Sequence, residues 1–158
     1  MFKNNLMRIG IVLSLTVLFI SSCRKRDALP PDNYVVFESS SQGVAAAETA
    51  VIVKVKTQMG VSGDIPVVIN LTEQGVMYGT DYTTMPAASA GKILLTIPSG
   101  NNEASFTITK VAGALFDGDE KIVSEIFSSG APVLIGKTKQ FILNFGELVA
   151  ASAKGESD

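Results

Sequence analysis

The run Ala50-Val51-Ile52-Val53-Lys54-Val55-Lys56-Thr57 decides the fold. Val51, Val53 and Val55 alternate with Ile52, Lys54 and Lys56, the period of two that a strand shows when one face meets a core and the other meets water. The valines are expected inside and the two lysines outside. Working outward, Ile65 to Thr72 (IPVVINLT) is a second run rich in branched residues, with Pro66 near its start, where a missing ladder donor is tolerated. Lys92 to Pro98 (KILLTIP) and Glu103 to Lys110 (EASFTITK) flank Ser99-Gly100-Asn101-Asn102, a spacing that predicts a hairpin. Tyr34 to Glu38 opens the series, and Lys121 to Phe127 and Gln140 to Phe145 complete it. Seven short strands separated by Gly-rich turns predict an all-β, two-sheet antiparallel sandwich. Ala45-Ala46-Ala47-Glu48 is too short to stand as a helix and reads as a loop or strand lead-in.

Composition agrees with one folded unit. The chain has 158 residues, 46% of them apolar and 18% charged, which separates it from the low-hydrophobicity, high-charge class of disordered chains. The net charge of −2 supplies no basic stripe for nucleic acid. There is no His, which removes the commonest acid–base group and metal ligand, and the single Cys rules out a disulfide framework. Nucleophilic catalysis needs a nucleophile beside a base, no S-x-x-K occurs, and Gly113 to Gly118 (GALFDG) lacks the Lys-Ser or Lys-Thr of a phosphate loop. The chain is expected to be no enzyme.

Residues 1–22 read as an export signal. Lys3 and Arg8 form a basic start, Ile9 to Ile20 (IGIVLSLTVLFI) is an apolar run too short to span a bilayer, and Ser21 and Ser22 are small. Ile20-Ser21-Ser22-Cys23 resembles the bacterial lipobox, in which the peptide is cut before a cysteine that then carries acyl chains. The resemblance implies lipidation of Cys23, an exported protein and a membrane anchor, with Arg24 rather than Asp in the next position favouring the outer over the inner membrane. Each buried methylene contributes about 0.8 kcal/mol, and stable anchoring needs more than one chain. Arg24 to Asp32 (RKRDALPPD) reads as a short tether, giving a lipidated segment 23–32, a folded unit 33–149 and a polar, disordered tail 150–158. Without residues 1–22 the chain keeps 11 basic and 15 acidic residues, a net charge of −4.

Several spacings in order resemble the Calx-beta family, an immunoglobulin-like sandwich named after a sodium–calcium exchanger domain. They are Val36-Phe37; Glu48 before the valine-rich strand; Gly79-Thr80-Asp81-Tyr82; Ile97-Pro98-Ser99-Gly100 leading into Phe106-Thr107-Ile108; Asp117-Gly118-Asp119-Glu120; and Ile135-Gly136. The resemblance covers nearly all of Asn33 to Phe145. It implies Ca2+ as the one candidate cofactor, held at one end of the sandwich by Glu48, Asp81, Asp117 and Glu120. The chain departs from the family where Val111-Ala112-Gly113-Ala114 replaces a pair of acidic residues, and where only Glu147 follows the last strand. As plain chemistry, Asp117-Gly118-Asp119 and Asp81 also suit tight turns. The expected role is a non-catalytic interaction, adhesion or structural module with a protein partner. The alternative is a carbohydrate-binding accessory of an outer-membrane glycan uptake system, for which Tyr78 and Tyr82 would supply the aromatic faces if they are not core residues.

Overall fold

The computed structural model describes residues 32–146, and the expected signal segment, Cys23, the tether up to residue 31 and the tail lie outside the described residues. All regular structure among them is strand. The ten strands are β1 (Tyr34–Phe37), β2 (Ser41–Val44), β3 (Ala50–Thr57), β4 (Ile65–Gln74), β5 (Tyr82–Met85), β6 (Lys92–Ile97), β7 (Glu103–Lys110), β8 (Lys121–Ser129), β9 (Leu134–Ile135) and β10 (Gln140–Phe145). One sheet runs β5-β7-β3-β1-β9 and the other β2-β10-β8-β4-β6.

β3 behaves as its alternation requires. Val51, Val53 and Val55 are buried, Ile52 is exposed, and Lys54 and Lys56 reach water on the outer face, where Glu38 and Glu103 neutralise them. The other strands add inward rows of the same kind: Ile65, Val67 and Ile69; Ile93, Leu95 and Ile97; Phe106 and Ile108; Phe141, Leu143 and Phe145. Burial of this apolar layer between two sheets is what holds the fold, at roughly 25 cal/mol for each Å² withdrawn from water. Phe37 and Phe141 meet across the layer at 5.8 Å between ring centres.

Three expectations need correction. The strands number ten, not seven, because Ser41–Val44, Tyr82–Met85 and Leu134–Ile135 also pair. None of the three shows an apolar alternation long enough to be seen: the first is polar with a Gly, and the last has two residues. The sheets are not wholly antiparallel, since β1 pairs in parallel with β9 and β10 in parallel with β2. Finally, Lys92–Ile97 and Glu103–Lys110 form no hairpin. β6 pairs with β4 and β7 with β3, in opposite sheets, so residues 98–102 arch from one layer to the other. The turn residues spend their hydrogen bonds elsewhere: Gly100 donates to the carbonyl of Val61 (2.7 Å), and the amides of Val61 and Thr57 donate to Asn101 (2.9 Å) and Asn102 (2.8 Å).

Two crossings tie the layers at the opposite side. The chain leaves β1, bends through Ser39 and Ser40, and enters β2 in the other sheet; it leaves β9 and enters β10 in the same way. The amide of Phe37 donates to the carbonyl of Thr138 at 2.8 Å, and that of Ile142 to Ser40 at 3.0 Å, so each crossing is bonded to the other.

Candidate functional site at the loop end of the sandwich

Strand register places the four candidate carboxylates at one end. Ala50 stands opposite Thr109, Tyr82 opposite Lys110, and Lys121 opposite both Gln74 and Asn144. The loops 45–49, 75–81 and 111–120 therefore emerge together, and Asn33 and the arch at 98–102 lie at the far end, where Asn33 and Met59 exchange two hydrogen bonds of 3.0 and 3.1 Å.

Within that end, each carboxylate is turned back on its own loop. Glu48 Oε2 accepts the amide of Ala45 at 2.9 Å, and the Glu48 amide returns a bond to the Ala45 carbonyl at 3.0 Å. Asp81 Oδ2 accepts the amide of Met77 at 2.8 Å, closing the turn that Gly79 makes in the left-handed region at φ 84°. Asp117 Oδ1 accepts the amide of Asp119 at 3.2 Å. Glu120 accepts from the amides of Asp117 (3.0 and 3.1 Å to its two oxygens) and Gly118 (3.0 Å). Burial alone would raise the Glu120 carboxyl, but these backbone donors outweigh it and hold the group below its ordinary value. The four residues thus share one end of the molecule, but among the described residues no three acidic side chains stand close enough to hold a metal ion together. Ca2+ asks for six to eight oxygens, and this arrangement of turn-capping carboxylates does not fit it.

Sequence reasoning passed over Lys110, the last residue of β7. Its ammonium donates to the carbonyl of Ala45 at 2.8 Å and of Ala46 at 3.2 Å, and it stands 5.6 Å from the centre of the Phe116 ring. Phe116 is buried and stacks on Phe145 at 4.5 Å with 7° between the planes. The signal available in the sequence was positional: a lysine closing a strand whose partner, β3, begins just after the 45–49 loop.

Tyr78 and Tyr82 are core residues. Tyr82 is fully buried and meets the half-buried Tyr78 ring edge-on at 5.5 Å. The Tyr82 hydroxyl donates to Glu73 Oε1 at 2.7 Å, and the Tyr78 oxygen accepts the amide of Ala88 at 3.0 Å. Neither ring lies open as a flat platform for a sugar.

A different surface feature comes from the outer face of the second sheet. Pro66, Val68 and Asn70 of β4 point outward opposite Thr96, Leu94 and Lys92 of β6. On the other flank β8 carries one extra residue, Phe127, opposite the Val68–Ile69 step of β4; Ile122, Ser124 and Ile126 face the core, and Phe127 follows them on the outer face at 60% exposure. Leu94 is 69% exposed on the same face, and the Lys92 ammonium lies 5.2 Å from the Phe127 ring centre.

No family model matches the chain, and no curated protein does. Solved structures do. The crystal structure of the apo form of the Calx CBD1 domain superposes with a TM-score of 0.59 at 20% identity, covering 73% of this chain and 97% of that one. The Calx CBD2 domain superposes at 0.59 with 12% identity, covering 74% and 88%. A structure described as the calcium binding domain CBD12 of CALX1.1 superposes at 0.58 with 21% identity; it covers 72% of this chain, which spans 45% of that longer one. At these identities the likeness is one of fold: an immunoglobulin-like sandwich of the Calx-beta type.

Proposed function

We propose that this Calx-beta-type sandwich is a non-catalytic interaction module of the bacterial envelope, anchored by lipid on Cys23, and that it meets a protein partner through the outer face of the second sheet. The observation that carries the reading is the apolar pair Leu94 and Phe127, open to water on one sheet face, with the half-buried Val68 directly opposite Leu94. Contiguous exposed apolar surface on a small soluble domain marks a contact site, and Phe127 beneath a lysine combines an apolar body with a charge, as aromatic anchors of interfaces do. The Ile20-Ser21-Ser22-Cys23 pattern supports the anchor, and the outer membrane is the favoured location.

A photo-activatable residue in place of Leu94 or Phe127 tests this in intact cells. Trapping of a distinct protein adduct from these positions, with none from Thr83 on the outer face of the other sheet, is the expected result. Equal trapping at all three sites, or none at any, removes the proposed face.

A further inference from the structure

The 45–48 turn has two kinds of polar group, and they are used in opposite directions. Its amide at Ala45 is bound by its own Glu48, while its carbonyls at Ala45 and Ala46 face the Lys110 ammonium. That ammonium also lies over Phe116, which belongs to the 111–120 loop and is stacked on Phe145 of the last strand. One positive charge therefore touches the β2–β3 loop and the β7–β8 loop, and it is delivered by the last residue of β7.

We infer that Lys110 is a resident cation: its ammonium gathers the loop end of the sandwich by binding main-chain carbonyls, so that the end is set without a divalent metal. Loop carbonyls at the rim of a fold are groups a hard cation would recruit. Here they are already taken by a group that carries its own charge and is covalently tied to the strand. A divalent ion would have to displace the ammonium or accept its repulsion at close range. The carboxylates that would compensate for that repulsion are turned onto their own loops, as described above. This chain therefore departs from its fold relative, the calcium binding domain CBD12 of CALX1.1. The inference stands apart from the sheet face proposed above and uses none of its residues.

The test uses the full chain, in detergent if the lipid is present, with thermal melting and amide hydrogen exchange read in EDTA and then in millimolar calcium chloride. The wild-type melting temperature is expected to agree in the two conditions within about 1 °C, because a ligand bound to the native state alone must raise it. Lys110→Met is expected to speed exchange in both the 45–49 and 113–116 segments, with the 98–102 arch at the far end unchanged, and Lys110→Arg to restore slow exchange. A calcium-dependent rise in the wild-type melting temperature overturns the inference, as does slow exchange in both segments of Lys110→Met. Should Lys110→Met fail to fold, Lys110→Gln is read in the same way, and the wild-type calcium arm decides independently of either variant.

Discussion

The hydroxyl of Tyr82 donates to Glu73 Oε1 over 2.7 Å, and the amide of Tyr78 shares the same oxygen at 2.9 Å. Burial first, and then the hydrogen bond and charge of Glu73, push the Tyr82 hydroxyl above its ordinary value. A group whose folded value is raised contributes stability that is complete below the unfolded value near 10 and lost as pH rises above it. Tyr82→Phe is expected to cost about 1–3 kcal/mol at pH 7, because it removes a donor from a carboxylate. It should also flatten the decline in stability between pH 9 and pH 11 (roughly the range about the free tyrosine value). Urea unfolding across that range gives both quantities, and an unchanged alkaline decline would count against the linkage.

Glu120 works at the other extreme of pH. Its folded value is lowered, so its contribution is present above the ordinary carboxyl value and fades as pH falls through the folded one. Glu120→Gln is expected to lose about 0.5–1 kcal/mol at pH 7, a figure reduced for the solvent that screens a half-exposed carboxylate. The variant should lose less than the wild type on going from pH 6 to pH 3 (about the span of a carboxyl titration). Parallel curves for the two proteins would show that the backbone bonds at Asp117 and Gly118 do not depend on the charge.

Gly130 is required by a neighbour rather than by its own dihedral angles. Its amide donates to the Pro66 carbonyl at 2.8 Å, and a Cβ there would lie 2.6 Å from Pro66 Cδ, an atom of a closed ring on a central strand. Gly130→Ala should cost about 1–3 kcal/mol in chemical denaturation. Gly63→Ala, where an added Cβ meets nothing within 4 Å, should stay within about 0.5 kcal/mol of wild type. Equal effects at the two positions would remove the steric account.

Ser124 lies fully buried between Ile122 and Ile126 on β8, and its hydroxyl finds no hydrogen-bond partner among the described residues. Ser124→Ala removes a polar atom that gains nothing inside, so it should leave stability unchanged or raise it by about 0.5–1 kcal/mol. Ile122→Ala, one inward step away, should cost about 2–5 kcal/mol. A clear loss on Ser124→Ala would point to an ordered water or other partner at the hydroxyl.

Lipidation is tested at Cys23 itself. Cys23→Ser is expected to move the protein from the membrane to the soluble fraction, and mass spectrometry of the wild type should show acyl chains on the sulfur. Unchanged partitioning would reject the anchor.

The residues that were legible in the sequence are those whose side chains repeat a pattern with the backbone. AVIVKVKT, EASFTITK and QFILNF came out with the bounds that their alternation implies, and the sandwich follows from them. Ser41–Val44 and Leu134–Ile135 were not legible, because their pairing is dictated by where β10 and β1 lie and not by their own composition. The Ser99-Gly100-Asn101-Asn102 turn looked like a hairpin because turn chemistry is local, whereas the choice of sheet is made by β3 and β4, well upstream in the chain. The end of the sandwich on which the loops of the four acidic residues emerge follows from strand register. Whether they face a common point or their own loops depends on rotamers and backbone amides, and composition carries no trace of that. Lys110 was missed for the same reason, and Phe127 because its neighbours on the outer face, Leu94 and Lys92, come from a strand that is not adjacent in the chain.

The first strand is flanked on both sides, by β3 and by β9, and continues directly into β2 in the opposite layer. Tension transmitted from the segment ahead of residue 32 would run along the axis of β1. The hydrogen bonds on its two flanks would be loaded in shear and would have to yield together, and the adjoining crossing would pass part of the load to β10. A domain tugged from its leading end in this geometry resists as a riveted joint does, where a peripheral first strand would peel away one bond at a time.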